Sequence, residues 1–423
     1  MRRIRAEHGL ATLLSGVALV STLGMAEAGS FALREQSATG QGSSFAGVAA
    51  NGSGISSIFW NPATLSQAGE GITTESHYSV ILPNSDFDVD PTGTTLANAP
   101  FNLGGPGDIG RDGLVGSSYA AYRLNDDVVL GFALNAPFGL RTKANPNGSG
   151  QTFSRTNEVL SLYGNPIVSY QINDQVSVAV GGIIAYFDAR LTNSLGPTNG
   201  TLELEGDDIG FGGTAGITFK PFEGTELGLG YRSPVSFDLE GDLTAGAPFN
   251  GQTGIRIDDV TLPEIVTFSF RQTITEEFDL LGTVEWTNWS RFGSFPVQQA
   301  TTVIPADLAF EFNYDDGWYF ALGGEYRYNE KLTLRAGAAW EISPIDTEIR
   351  GLRIPDDDRL WLSAGMSYQY SDQLGFDLGY SYITTFDTEV LIGPGHQDFA
   401  GVSFAADVDA DVHILSAAMK YKW

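Results

Sequence analysis

Few side chains in this sequence are equipped for covalent chemistry, and their spacing argues against it. A hydrolase or transferase needs a general base, and the chain has four histidines, His8, His77, His396 and His413. None stands in a local motif beside a nucleophile, although a serine and a histidine can still be brought together by the fold. There is no cysteine, which removes disulfide, zinc-finger and thiol chemistry. Gly105-Pro106-Gly107-Asp108-Ile109-Gly110 matches a dinucleotide fingerprint letter for letter. That fingerprint works only at a strand-to-helix turn, and here it follows no buried strand and opens no helix, so it reads as a loop. Asp356-Asp357-Asp358 offers calcium-type ligands, but the same run suits a solvated turn. The expectation is a protein that is not an enzyme and uses neither metal nor cofactor.

What the remaining charges can do depends on the elements that carry them. At 423 residues a soluble chain would divide into two or three domains. The composition points elsewhere: 52 glycines and 12% aromatic residues accompany only 42% hydrophobic residues. No apolar window long enough for a membrane helix occurs beyond the first 25 positions. Low average hydropathy, many aromatics and strict alternation belong to a membrane β-barrel, in which lumen-facing residues dilute the lipid-facing ones. The net charge of −28 makes nucleic acid a poor partner. It reads as solvated loops and turns, or as sites for divalent bridging at a cell surface.

Residues 1–28 read as a secretory signal peptide. Arg2, Arg3 and Arg5 form the basic start, residues 10–23 the apolar middle, and Ala26-Glu27-Ala28 the small-x-small cleavage site. From position 70 to the end, polar turns punctuate fourteen candidate strands: 71–82, 114–123, 128–138, 157–171, 175–192, 201–220, 225–239, 254–272, 277–291, 311–328, 332–349, 359–370, 374–389 and 411–423. Short connections such as Leu124-Asn125-Asp126-Asp127 and Ile172-Asn173-Asp174 alternate with long ones rich in Gly, Pro and Asn. That asymmetry is the one shown by outer-membrane barrels, with short periplasmic turns and long outer loops. Faces can be assigned from parity. In 374–389, Phe376, Leu378, Tyr380, Tyr382 and Phe386 share one side, and Asp377, Gly379 and Ser381 the other. The last strand alternates through Leu415, Ala417, Met419 and Tyr421 to an aromatic terminus, Trp423, the kind of end that barrel assembly machinery recognises.

Residues 29–69 do not fit the strand pattern. Asn61 is a good helix N-cap, and Pro62 suits the first helical position. A coil should therefore turn at Asn61 and make one short helix over 62–66. A small irregular segment ahead of a large barrel has a natural place inside it, so it reads as a plug.

With plug, strand count and closing strand in place, the chain resembles the outer-membrane long-chain fatty acid and aromatic hydrocarbon transporter family (FadL/TodX-like). The local matches are 31–40, Asn61-Pro62-Ala63, Leu262-Pro263-Glu264, Trp286-Thr287-Asn288-Trp289-Ser290 and residues 354–362. The resemblance implies an all-β fold: a transmembrane antiparallel barrel of about 14 strands with an N-terminal hatch in its lumen. It implies passive, ligand-gated uptake of a hydrophobic small molecule in a Gram-negative outer membrane, with lateral release into lipid at a kinked third strand. A monomer is expected. Asn61, Pro62 and Ala63 are then the gating residues of the hatch, expected to meet the third strand beside Gly139. Pro137, Phe138 and Gly139 mark the lateral opening, because Pro137 cannot donate to the ladder and Gly139 tolerates a bend. Pro137 equally suits the plain outer end of that strand.

Fatty-acid-binding members hold the head group with basic residues near the outer end of the fifth strand and in a later outer stretch. Aligning on Tyr186 puts Leu191 and Asn193 at the fifth-strand pocket positions, with inward parity, opposite to Val178, Val180, Ile184 and Tyr186. The nearest base, Arg190, has lipid-facing parity. The later stretch, 301–312, has no Lys or Arg, and the 193–200 connection is short for a helical insertion. A carboxylate buried without a partner costs several kcal/mol, so these departures favour a neutral hydrocarbon, or a fatty acid held weakly by Asn193 or a lumen arginine such as Arg271 or Arg335. Lumen parity also carries Arg232 and Arg327 with Glu264, Glu285 and Glu325, expected to pair with each other or to hold the plug. A general diffusion porin and a structural or adhesive surface barrel remain as alternative readings.

Overall fold

Alternating strands can satisfy every backbone group within a membrane only by closing a sheet on itself. The computed structural model, which describes residues 30–50, 54–95, 104–146, 148–195, 200–304, 308–399 and 401–423, has that closure: fourteen antiparallel strands form one barrel. In order they are Ile72–Val89, Gly113–Arg123, Val128–Asn135 continued by Gly139–Lys143, Thr156–Gln171, Val176–Ser194, Thr201–Phe222, and Thr225–Arg232 continued by Val235–Ala245. The second half is Gly251–Leu262 continued by Ile265–Thr273, Phe278–Thr287, Gly317–Arg327, Leu332–Ile342, Arg359–Gln369, Leu374–Thr385 continued by Thr388–Ile392, and Phe404–Lys422. The last strand pairs with the first from Thr73 opposite Lys422 to Val89 opposite Ala406. The expected signal peptide, 1–28, lies outside the described residues.

Parity behaves as the alternation demands. Phe376, Leu378, Tyr380 and Phe386 are exposed on the outer wall, whereas Asp377 and Ser381 are buried in the lumen. Some boundaries move, for physical reasons. The first and last strands run well past the expected 71–82 and 411–423, because Asp86, Asp88, Asp407 and Asp409 continue the ladder with polar residues that a hydrophobic pattern does not register. The seventh and eighth strands break at Ser233-Pro234 and Pro263-Glu264, where proline cannot donate. The tenth begins at Gly317 rather than 311 and the eleventh ends at Ile342 rather than 349. The flanking segments fold over the barrel mouth instead of extending it.

The hatch fills the lumen. Ala38–Gln41 is a single helical turn capped by Ser37, whose hydroxyl accepts the Gly40 N–H. A 3₁₀ turn over Gly54–Phe59 follows, with the Ile55 and Ser56 N–H groups each donating to Glu75 of the first strand at 3.0 Å. The expected short helix after Asn61 is a 3₁₀ turn, Pro62–Gln67.

Candidate functional site

The middle of the hatch is seated on backbone. Asn61 is the N-cap of Pro62–Gln67 and accepts the Ala63 N–H at 3.0 Å, with Pro62 in the first position. Its amide donates to Ala49 O at 2.7 Å and to Ile217 O at 3.0 Å on the sixth strand. The turn can approach this closely because Gly216 and Gly230, paired across the sixth and seventh strands, present no side chain. A Cβ at Gly216 would collide with the Asn61 side chain, and one at Gly230 with Trp60 O. Asn61 therefore does not sit beside Gly139, as the sequence suggested; the turn touches the third strand through Leu65, packed over Gly131. Asn61 lands where the lumen-facing Gly216 and Gly230 leave room.

The third strand is met by an earlier part of the hatch, residues 30–36. Its ladder stops at Asn135 and resumes at Gly139 along the fourth strand, with a single bridge from Thr142 to Gly110 on its other side. Into this break the hatch inserts a short strand-like contact. Leu33 N–H donates to Pro137 O at 2.7 Å, Gly139 N–H donates to Phe31 O at 2.8 Å, and Ala32 lies opposite Phe138. Gln36 donates to Ala136 O at 2.8 Å and receives the Asn135 amide, while Ser117 and Tyr119 of the second strand donate to Gln36 O. Phe138 points inward, and its N–H donates to the Ser161 hydroxyl. Pro137, Phe138 and Gly139 thus form a real interruption whose lost pairing is supplied from inside by the hatch.

Phe31 carries this contact to a cavity. Its ring packs edge-on against Trp289 at 4.8 Å and Phe292 at 5.1 Å, and approaches Phe138 at 6.0 Å. Phe31 also lines an apolar cavity at the outer end of the barrel, with Leu140, Phe187, Leu191, Phe310 and Arg353 among its walls. A larger vestibule lies beside it, lined in part by Asn193, Phe312, Arg353 and Asp398. Leu191 lines the apolar cavity and Asn193 the vestibule. Arg190 points away, bonded to Glu203 at 2.8 Å and to Glu158 at 3.5 Å. The connection at 196–199 lies outside the described residues.

The sequence reading missed Arg353. It borders both cavities, donates to Asn157 Oδ1 at 3.1 Å, lies 5.4 Å from the Phe310 ring centre, and has no carboxylate within ion-pair distance among the described residues. Loss of solvent holds its guanidinium below the ordinary value, against the pull of Asp398. The lumen arginines proposed as substitutes are engaged elsewhere: Arg271 pairs with Asp279 and Glu325, and Arg335 with Glu325 at 2.7 Å. Glu285 holds the hatch through Arg34 at 2.6 Å, and Glu264 pairs with Arg291. Arg232 anchors the hatch by donating to Phe59 O at 3.1 Å.

The groups that could have done chemistry have structural partners. His77 accepts the Ala38 N–H on Nδ1 and faces Glu75 through Nε2; His413 bonds Tyr380 and His396 bonds Arg350 O. The aspartate run is neither a calcium loop nor a solvated turn. Asp356 is buried, pairs with Arg359 and accepts the Ser30 N–H at 2.7 Å, which ties down the start of the hatch; Asp357 pairs with Arg350 at 3.0 Å.

This geometry agrees with what the chain is similar to. The profile of the family described as outer membrane protein transport protein (OMPP1/FadL/TodX) matches residues 17–423. The long-chain fatty acid transport protein of Escherichia coli O6:H1 is 27% identical over 414 residues, covering 88% of this chain and 90% of the relative. Outer membrane protein P1 of Haemophilus influenzae Rd is 25% identical over 88% of this chain and 89% of its own. Two solved structures share the fold. A Pseudomonas aeruginosa FadL homologue superposes with a TM-score of 0.82 at 20% identity, covering 93% of this chain and 99% of that one. The P. putida toluene transporter TodX superposes with a TM-score of 0.72 at 17% identity, covering 91% and 98%. A hatch-filled, fourteen-stranded barrel matched by that profile along nearly its whole length belongs to the FadL/TodX family of outer-membrane transport proteins.

Proposed function

We propose that the protein admits hydrophobic compounds by passive, ligand-gated diffusion. A ligand is captured in the vestibule, passes Arg353 into the apolar cavity, and leaves sideways into lipid between the second and third strands. Long-chain fatty acids and aromatic hydrocarbons, the ligands named for the relatives, are the class to which the cavity is suited. The observation that supports this reading is the double role of Phe31: its side chain lines the cavity and its carbonyl is bonded to Gly139 in the strand break.

Magnitudes favour the coupling. The two main-chain bonds of Phe31 and Leu33 are worth roughly 1–3 kcal/mol together. Burying about 100 Å² of an alkyl or aromatic ligand supplies roughly 2.5 kcal/mol. Ligand entry is thus of the right size to lift Phe31 off the third strand. Arg353 also changes the expected ligand. The case for a neutral hydrocarbon rested on the lack of a base near the cavity, and Arg353 is such a base, so the site accepts a carboxylate without requiring one. A general porin is disfavoured because the hatch occupies the lumen that a porin keeps open.

The test is to repair the wall. Pro137→Thr with Gly139→Val gives the third strand a donor and an extended conformation. Uptake of labelled oleate by cells should fall severalfold while oleate binding to purified protein is kept. Undiminished uptake would mean that ligand goes straight down the lumen.

A further inference from the structure

Glu35 lies between Arg34 and Gln36 and has no role in the contacts described so far. It is 1% exposed, and neither of its carboxyl oxygens has a hydrogen-bond partner. The two arginines facing it each pair with other carboxylates. Arg34, its chain neighbour, is held by Glu285 at 2.6 Å and Glu341 at 3.2 Å, and its guanidinium lies 3.7 Å from the Tyr319 ring centre. Arg359, at the start of the twelfth strand, is held by Asp356. The Tyr319 hydroxyl donates to Ser44 O, and Glu341 also accepts from Trp361. A second carboxylate beside Glu341, with no hydrogen bond to either oxygen, is an expensive thing to bury. Burial is the main cause that pushes the Glu35 carboxyl up, to about 7, against the nearby Arg34.

We propose that Glu35 is a proton-linked latch: residues 30–36 dock on the broken third strand with Glu35 protonated, and the proton is released to solvent when this arm leaves. The latch rests on the proposed function for its effect on exit, but docking itself is what the proton reports. The sign follows from linkage. An acid whose pKa is raised in the docked state binds its proton more tightly there, so docking is strongest below the ordinary value of 4.5. It weakens as pH rises from there to about 7 and is unaffected by further increase. The exit therefore opens more readily at neutral than at acid pH, even for a ligand with no titrating group.

Calorimetry of the full chain in detergent with hexylbenzene, an uncharged probe, counts this proton when binding is repeated in buffers of different ionisation enthalpy. The wild type should release about one proton per ligand bound near pH ~6 and about none near pH ~9. Glu35→Gln, a neutral shape mimic, should bind and release none at either pH, with normal heat-modifiable gel migration. A wild-type proton count near pH ~6 equal to that of Glu35→Gln overturns the latch. The lateral route is judged separately, by uptake through the Pro137→Thr/Gly139→Val variant, so the two ideas fail on different measurements.

Discussion

The two parts of the hatch meet the barrel in opposite ways. The body, residues 37–67, is pressed against strand backbone where cross-strand glycine pairs make room: Gly216 with Gly230, Gly323 with Gly337, and Gly365 with Gly379. Asn61 Oδ1, Trp60 O, Ser43 O, the Gly42 main chain and Ala38 O occupy those hollows. The arm, residues 30–36, touches the interrupted third strand, includes a ring that borders a cavity, and contains a buried acid whose carboxyl has no hydrogen-bond partner. Backbone seated in a glycine hollow has no second place to bind, because one step along the strand brings a side chain. The arm is held instead by side-chain and main-chain polar contacts, among them the Arg34 ion pairs and the Phe31 and Leu33 bonds, and it lies beside a cavity. In the proposed function, sealing falls to the body of the plug and passage of ligand to the arm.

Removing residues 30–65 abolishes the distinction and should have the largest effect. Strand pairing does not depend on the plug, so the barrel should fold with normal heat-modifiable migration, and planar-bilayer conductance should rise sharply. Unchanged conductance would place the segment outside the lumen. Next comes the seat. Gly216→Val or Gly230→Val forces a side chain into the hatch turn and should cost about 1–3 kcal/mol, as overpacking does. Lower thermal stability and increased channel flicker are the expected readouts, with the strand register kept. If either substitution is silent, the body is not seated as described. The smallest effect sharpens the arm's side of the contrast. Arg353→Gln should weaken oleate binding about tenfold, as the loss of one charge-assisted hydrogen bond implies. Hexylbenzene binding should be unchanged; an equal loss for both ligands would make Arg353 a packing residue.

Much of this was legible from residues whose information is local. Parity in 374–389 assigned the lipid face because side-chain direction in a strand depends only on the neighbour. Asn61-Pro62 announced a capped turn because capping is satisfied within three residues. Where that turn lands was not legible, since it depends on glycines some 150 residues further along the chain. A signal was nevertheless present: Gly216, Gly228, Gly230, Gly337, Gly365 and Gly379 all fall on lumen parity, and strand glycines mark close backbone approach. Arg353 and Asp356 escaped for a different reason. They lie in 343–358, partly read as strand and partly as solvated turn, whereas that segment is not strand and reaches the hatch through Asp356 and the fourth strand through Arg353. Glu35 could not have been singled out, because its lack of partners is a property of the assembled lumen.

The central claim, that the arm is what closes the lateral exit, can be tested by locking it there. Ala32 and Phe138 face each other as a non-hydrogen-bonded antiparallel pair, flanked by the Leu33–Pro137 and Phe31–Gly139 bonds. Such a pair suits a disulfide, and the chain has no cysteine to compete. In Ala32→Cys/Phe138→Cys, oxidised cells should stop taking up oleate and recover when the bond is reduced, with the barrel folded throughout. Full uptake with the arm covalently held to the third strand would contradict the claim.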